Sequence, residues 1–181
     1  MAFGYDGQNP NRIESLRGIF VNDSTLIADH RSDSADVRLA EVDLAILREL
    51  SADARTSNKT LAARVGLAPS TCSGRVSALR QSGVLRGFHA DIDYEKLGLS
   101  VFGMISVRVT PVGRSQLRSV IDRLLEAAET LEVYQVSGER DLLVHVACDH
   151  PTGLHRFIEQ NLSDPTIAHT QTSLVFGHHR K

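Results

Sequence analysis

The amino-acid sequence predicts an α+β protein with an N-terminal winged helix-turn-helix and a C-terminal ferredoxin-like βαββαβ sandwich. Two patterns predict this fold: three short helical patterns follow one another in the first half, and a β-α-β-β-α-β order follows in the second. A third observation concerns charge, because no acidic residue lies between Asp53 and Asp91. With 181 residues and 41% hydrophobic content, the chain is long enough to bury one good core or two small ones.

The chain divides by composition into four segments. Residues 1–38 contain Gly, Asn, Pro, Ser and Asp with scattered apolar residues and no sustained period, which predicts a flexible extension. We expect the winged helix-turn-helix domain to span residues 39–92, with the helix-turn-helix at about 58–77 and a strand or wing at 84–92. Two further segments follow, a linker at 93–99 and the ferredoxin-like domain at 100–178.

Three helices are predicted in the first domain. The first ends near Ala52 and is indicated by apolar residues at helical spacing, namely Leu39, Ile46, Leu47 and Leu50. The second begins near Ser57, whose hydroxyl can cap it, and ends near Gly66. The third begins at Pro69, whose missing N–H is tolerated in a first helical turn, and ends by Gly83.

The second domain is predicted to be a four-stranded sheet with two helices. The strands are expected at 101–110, 131–137, 141–148 and 166–176, and the helices at 114–128 and 151–162. Both helices of a ferredoxin-like sandwich lie on one side of the sheet, so the other face is open. An exposed apolar face predicts dimerisation, and we assign to it Val133, Tyr134, Val144 and Val146.

The charge of the protein is segregated along the chain. The acid-free segment carries six cations, so the other residues hold 14 basic and 22 acidic groups, a net charge of -8. A compact positive segment in an acidic protein is typical of a polyanion-binding surface, although an ordinary solvated basic face has the same pattern. The six cations are Arg55, Lys59, Arg64, Arg75, Arg80 and Arg86.

The sequence lacks the patterns typical of membrane-spanning or secreted proteins, disulfides and metal sites. The chain has neither a run of about 18 apolar residues nor a secretory signal, so we expect a cytoplasmic protein. Cys72 and Cys148 are isolated, which disfavours a disulfide or a zinc site, and Cys72 is expected to be a buried, inert thiol. His150, His155 and the His178-His179 pair lack good metal-ligand spacing. We expect no metal, no cofactor and no enzymatic activity.

Three segments resemble one known family. They are Leu44-Ala45-Ile46-Leu47, the stretch from Ala62 to Cys72, and Val136-Ser137-Gly138-Glu139-Arg140-Asp141. Together they are similar to the Lrp/AsnC (feast/famine) family of bacterial and archaeal transcription regulators, over about residues 39–178. The resemblance implies a DNA-binding domain, a C-terminal amino-acid-sensing domain of the RAM type, and dimers that join into tetramers or octamers. It also implies regulation of amino-acid metabolism genes.

The third helix is predicted to read DNA. Cys72, Val76 and Leu79 share its core face, so the opposite face, with Ser70, Ser73, Gly74, Ser77 and Gln81, would enter the major groove while Thr71 and Arg75 flank it. Family members usually carry larger charged residues here and a serine cap where this chain has Ala68, so we expect modest direct readout of sequence. Phosphate contacts, or else ordinary solvated side chains, are expected at Arg55, Ser57, Asn58, Lys59, Arg80 and Arg86.

The loop Gly138-Glu139-Arg140-Asp141 is either a simple hairpin turn or part of an effector site. In the family that this chain resembles, the loop lines an effector pocket between dimers. Tyr134 would line one side of that pocket. An amino-acid ammonium needs acceptors, which Glu139 and Asp141 offer. Its carboxylate needs donors, which the loop N–H groups near Gly138 and the hydroxyls of Thr170, Thr172 or Ser173 offer.

The sequence therefore predicts a DNA-binding transcriptional regulator of amino-acid metabolism genes. Its partners would be double-stranded DNA, an amino-acid effector that modulates oligomerisation and DNA affinity, and further copies of itself. A nucleoid-organising protein with low sequence specificity remains an alternative because the reading helix carries small side chains. An enzyme with a regulatory domain is disfavoured, since no Gly-rich phosphate loop or nucleophile elbow is found.

Overall fold

The structure is a computed structural model that describes residues 39–177. These residues separate into two compact units, which meet in sequence at Ile92 and Asp93. The N-terminal extension predicted at 1–38, the His178-His179 pair and the last position of the predicted second domain lie outside the described residues.

The N-terminal unit consists of three short helices around one small core. They are α1 (Glu41–Ala52), α2 (Asn58–Arg64) and α3 (Pro69–Gln81), so the three predicted helices are confirmed with slightly shorter ends. Gly66 follows α2 with a φ of +70°, a conformation that glycine adopts without steric cost, which explains why the helix ends there. The core is formed by Ile46, Leu50, Leu61, Ala62, Cys72 and Leu79.

Of the strand or wing predicted at 84–92, the strand is wrong, since this segment contains no strand. Its first two residues, Val84 and Leu85, instead pack against the helical core. The N–H of Leu85 donates to the carbonyl of Leu79 at 2.9 Å, which holds the chain against the end of α3. Val84 and Leu85, which begin the segment whose loose alternation is typical of a strand, are therefore part of the packing of the helical core.

The C-terminal unit is a four-stranded antiparallel sheet with the order β2-β3-β1-β4, which confirms the ferredoxin-like arrangement. The strands are β1 (Val101–Val109), β2 (Thr130–Gln135), β3 (Leu142–Cys148) and β4 (Ile167–Val175). The helices are α4 (Pro111–Ser115), α5 (Leu117–Glu126) and α6 (Pro151–Leu162). Side chains of α5 and α6 cover one sheet face, where Val120, Leu124 and Phe157 are buried with the strands.

The helix predicted at 114–128 is in fact two helices. The Thr110 hydroxyl accepts a hydrogen bond from the N–H of Gly113 at 3.1 Å, and Pro111 occupies the first turn, so a short helix begins before the predicted start. Gln116 interrupts the helical path with φ −114° and ψ 21°, and α5 then begins at Leu117. The apolar periodicity identified the buried face of α5 but not this break.

The residues assigned from the sequence to the open sheet face need correction. Val144 and Val146 are fully buried, and Val133 packs against the same core, so all three face the helices. Tyr134, which is 45% exposed, is the one member of that set on the open face. Successive strand residues alternate between faces, so the neighbours Val133 and Tyr134 cannot both lie on the open face. Strand register with Tyr134 adds Leu143 to the open face.

Candidate DNA-binding surface and effector loop

Two of the six cations in the acid-free segment are neutralised by acids from α1. Arg64 Nη1 lies 2.8 Å from Glu49 Oε2, and Arg75 Nη1 lies 2.9 Å from Asp43 Oδ1. The other four are exposed, and within residues 39–177 no ion pair engages them. The positive charge available to a polyanion is therefore concentrated on Arg55, Lys59, Arg80 and Arg86.

Arg75 is bound into the helical unit and is not a free flanking cation. Its partner Asp43 is nearly buried and also accepts a hydrogen bond from the N–H of Ala40 at 2.9 Å. That backbone hydrogen bond and the Arg75 guanidinium hold the pKa of the Asp43 carboxyl below its usual range. Asp43 lies outside the acid-free segment, 32 residues before Arg75, so no pattern in the sequence indicated this ion pair.

The faces of α3 agree with the helical pattern. Cys72 and Leu79 are buried, whereas the side predicted to read DNA is exposed. A Cβ added to Gly74 would meet no atom within 4 Å, so packing inside the chain does not require glycine there. Ala68 is the N-cap of the helix and offers no side-chain acceptor. The exposed side is formed by Ser70, Thr71, Ser73, Gly74, Ser77 and Gln81.

Two predicted phosphate-contact residues also hold the helix-turn-helix together. The Ser57 hydroxyl accepts from the N–H of Thr60 at 3.2 Å and so caps α2, as the sequence predicted. The Asn58 side chain donates to the carbonyl of Pro69 at 2.8 Å, which joins the beginning of α2 to the beginning of α3. Both side chains are exposed, and their contacts with phosphate remain predictions.

In the second unit, residues 136–141 form the loop between β2 and β3. The N–H of Val136 donates to the carbonyl of Asp141 at 3.0 Å, which closes the loop at its base. Gly138 has a φ of +105°, where side chains are strained, so the turn requires glycine as predicted. Glu139 is exposed, and no hydrogen bond or ion pair from the described part of the chain engages its carboxylate.

Asp141 has a structural role that the sequence did not indicate. Its Oδ2 accepts from the N–H of Val109 at 2.9 Å, and its Oδ1 accepts from Arg114 Nη2 at 2.8 Å. The side chain is only 15% exposed. Because both carboxylate oxygens are engaged, Asp141 attaches the end of the loop to β1 and α4. Glu139 is therefore the more available acceptor for a ligand ammonium.

Arg140 and Gln171 form a contact across the sheet that sequence analysis did not assign. Arg140 Nη2 donates to Gln171 Oε1 at 3.2 Å, although the two residues are 31 positions apart. Gln171 lies opposite Ser106 in β1, on the open sheet face. The sequence offered only residue types as a sign of this contact. Arg140 lies in the segment 136–141, and Gln171 lies between Thr170 and Thr172, two of the predicted effector residues.

The predicted effector hydroxyls do not lie on one face of β4. Thr170 and Thr172 are in register with the buried Val107 and Ile105, so they face the helix side, whereas Ser173 is opposite Met104 on the open face. Tyr134 also lies on the open face, but on the edge strand β2, where its hydroxyl donates to the Glu132 carboxylate. Within one chain the seven predicted effector residues therefore do not converge on a single cavity.

Cys72 and Cys148 are free and fully buried, and burial together with the Glu129 and Asp149 charges raises the pKa of Cys148 to about 12. Residues 39–177 contain no group of three or more His, Cys, Asp or Glu able to hold a metal ion. Over the same range, no helix has the length and apolar character needed to span a membrane.

Two family models match the chain. A winged helix-turn-helix DNA-binding model matches residues 39–86, and an Lrp/AsnC ligand binding domain model matches residues 103–181. The first match covers the helices α1, α2 and α3. The second covers most of the sheet and the loop between β2 and β3.

Characterised relatives and solved structures agree with these matches. The HTH-type transcriptional regulator AldR of Mycobacterium tuberculosis is 43% identical over 91% of this chain and 95% of its own length. AzlB, a transcriptional regulator of Bacillus subtilis, is 30% identical over 78% of this chain and 90% of its own length. The crystal structure of the M. tuberculosis AldR matches at a TM-score of 0.69 and 38% identity, over 79% of this chain and 97% of that one. The crystal structure of a Neisseria meningitidis transcriptional regulator in complex with L-Met matches at a TM-score of 0.71 and 25% identity. The match covers 79% of this chain and 93% of that one.

Proposed function

Because the chain belongs to the Lrp/AsnC family of helix-turn-helix transcriptional regulators with a ligand-binding domain, we propose that it controls genes of amino-acid metabolism in response to an amino acid. Residues 39–92 would bind operator DNA, and residues 100–178 would bind the effector and assemble the oligomer. The relatives are named as transcriptional regulators, which supports a role without catalysis.

The observation that carries this proposal is the combination of an exposed α3 face with four exposed cations that lack acidic partners in the described chain. Such cations neutralise phosphates and release counterions, which supplies affinity for any duplex. The hydroxyls of Ser70, Ser73 and Ser77 would then supply limited base contacts. Sequence preference would depend strongly on bending of the DNA around an oligomer.

The effector would be an amino acid held near the loop between β2 and β3. The related N. meningitidis regulator was solved with L-Met, which supports a ligand of this class. Glu139 is exposed beside Gly138 and can accept from an ammonium. Apolar residues on the open sheet face, including Phe102, Met104 and Leu143, support dimerisation through that face and assembly into larger oligomers.

A second candidate function is organisation of the nucleoid. The small side chains along the exposed face of α3 favour it, since Ser73, Gly74 and Ser77 give little reach into the major groove. An architectural protein would bind most DNA sequences with similar affinity.

Footprinting of the full-length protein on genomic fragments separates the two functions. A specific regulator should protect discrete sites, with periodic hypersensitive positions where DNA bends around the oligomer. Uniform protection of unrelated fragments would support the architectural role instead. A Ser73→Ala, Ser77→Ala double variant should lose little discrimination between operator and random DNA, and a large loss would show that α3 reads bases directly.

The effector proposal needs a separate measurement. Thermal-shift assays with the twenty amino acids should identify at least one that raises the apparent stability, because a ligand bound only by the folded state stabilises it. The same amino acid should change both the oligomer size and the affinity for the footprinted site. If no amino acid changes any of these quantities, the amino-acid response is refuted, whereas DNA-binding function stands.

A further inference from the structure

Arg140 is a partly buried cation with a neutral partner. Its guanidinium is held by the side-chain amide of Gln171 at 3.2 Å, and no carboxylate within residues 39–177 pairs with it. Elsewhere in the same unit, Arg114 is paired with Asp141 at 2.8 Å. A guanidinium bonds more strongly to a carboxylate than to an amide, because both partners are then charged and two parallel hydrogen bonds can form.

The surroundings of Arg140 suit a small organic acid. Gln171 lies opposite Ser106, whose hydroxyl is 3.4 Å from the Gln171 carbonyl, and Ser106 in turn lies opposite Leu143. One patch of the open face therefore presents a cation, hydroxyl and amide groups and an apolar side chain. Glu139 precedes Arg140 in the loop and is exposed, so an acceptor for an ammonium is also close in sequence.

We propose that Arg140 binds the carboxylate of the effector and that Gln171 occupies the guanidinium only while the site is empty. This inference rests on the proposed amino-acid response and adds the residue that recognises the acid group. The ligand carboxylate replaces Gln171 Oε1 on Nη2 and forms the two parallel hydrogen bonds that an amide cannot. Ligand binding thereby removes the Arg140 to Gln171 contact between the loop and β4.

Substitutions at the two residues separate this role from a structural one. Arg140→Gln removes the cation, and we expect amino-acid affinity to fall at least about tenfold. Gln171→Glu places a permanent carboxylate on the guanidinium, so it should weaken ligand binding by a similar factor. Gln171→Ala removes the competing amide and should leave affinity unchanged or raise it. Arg156→Gln, an exposed charge removal on α6, is the matched control and should have no effect.

The ligands themselves provide a second comparison. Isothermal titration first uses the amino acid that gives the largest thermal shift with the wild-type full chain. Its carboxamide, which retains the ammonium but lacks the negative charge, should bind at least about tenfold more weakly. Its desamino acid, which retains only the carboxylate, should bind in a manner that depends on Arg140. If the desamino acid binds as tightly as the amino acid, the effector is a carboxylic acid in general.

The outcomes distinguish the two levels of the proposal. If no amino acid stabilises the wild-type chain, the amino-acid response fails and the role of Arg140 fails with it. If an amino acid binds but Arg140→Gln and Gln171→Glu both leave its affinity within twofold, only the role of Arg140 is overturned. Circular dichroism checks that each variant is folded, and should Arg140→Gln unfold, the opposite expectations for Gln171→Glu and Gln171→Ala still decide the matter.

Discussion

The Asp43 carboxylate lies 2.9 Å from the guanidinium of Arg75, which connects α1 to the helix predicted to read DNA. Asp43 also accepts the N–H of Ala40, so one side chain fixes both the beginning of α1 and the orientation of α3. A cation that looks like a DNA contact in the sequence thus has a structural partner.

Replacing Arg75 should affect stability more than DNA binding. Arg75→Gln leaves the nearly buried Asp43 carboxylate without its cation, so we expect the free energy of unfolding to fall by about 1 to 3 kcal/mol. Arg80→Gln removes an exposed cation from the same helix and should change stability by less than about 0.5 kcal/mol. Urea denaturation measures both, and equal effects would contradict the structural role of Arg75.

The stability difference at Asp43 should depend on acid pH. The Ala40 N–H and Arg75 lower the pKa of this carboxyl below its ordinary value of 3.8, so its contribution is present above that pH and is lost as pH falls through the lower folded-state pKa. Asp43→Asn should therefore destabilise the protein at pH 6, and the deficit should shrink below pH 3.8. A deficit that stays constant from pH 6 to pH 3 would refute the charge-dependent contribution.

DNA binding should depend on Lys59 more than on Arg64, although both cations lie on α2. Arg64 is paired with Glu49 at 2.8 Å, whereas Lys59 has no ion-pair partner in residues 39–177. Lys59→Gln should reduce the slope of log K against log salt by about 0.9, the value for one phosphate contact, and Arg64→Gln should change it less. Fluorescence anisotropy across a salt series measures the slopes. The reverse order would indicate that the Arg64 ion pair opens on DNA.

A better cap for α3 should stabilise the helix-turn-helix. Ala68 is the N-cap, with φ −67° and ψ 144°, and no side chain accepts from the first helical turn. Ala68→Ser supplies such an acceptor and should raise the free energy of unfolding by about 1 kcal/mol. Ala63→Ser, the same change within α2 at an exposed position, should instead lower it by roughly half a kcal/mol. Thermal or urea denaturation compares the two variants.

Glu139 and Asp141, the two acids of the loop between β2 and β3, should differ in their effects on stability and on ligand binding. Asp141→Ala leaves the buried N–H of Val109 without its acceptor, so we expect a loss of about 1 to 3 kcal/mol in stability. Glu139→Gln should leave stability unchanged and weaken amino-acid binding about tenfold, because its exposed carboxylate is the proposed ammonium acceptor. Denaturation and calorimetric titration give the two quantities. If Asp141→Ala is fully stable, the attachment of the loop to β1 is unimportant.

Sequence periodicity was sufficient for the elements whose signal is local. The apolar spacing of α1 and α5, the Ser57 cap and the positive φ of Gly138 each depend on neighbouring residues, and all were correctly predicted. The face of Val144 was wrong because alternation in a buried strand does not reveal which set faces the helices. The strand at 84–92 was wrong because Val84 and Leu85 pack on a core formed elsewhere in the sequence.

The candidate sites were less predictable because their contacts are distant in sequence. Arg75 pairs with Asp43, which is 32 positions away in the sequence, and Arg140 donates to Gln171, which is 31 positions away. Thr172 and Ser173 are neighbours in β4 and so point to opposite faces, but only the register with β1 decides which of the two faces the helices. No composition or motif contains this register, so the residue types of a site could be proposed while their arrangement could not.

The attachment of the loop between β2 and β3 through Asp141 has a consequence for how tightly the proposed small ligand would bind. An amino acid has roughly ten non-hydrogen atoms, and the best tiny ligands gain at most about 1.5 kcal/mol per atom. Ordering a flexible loop would consume much of that gain, since each fixed residue costs about 1 to 2 kcal/mol of backbone entropy. A loop that is already held in place would leave most of the intrinsic binding energy of the proposed ligand to discriminate it from similar small molecules.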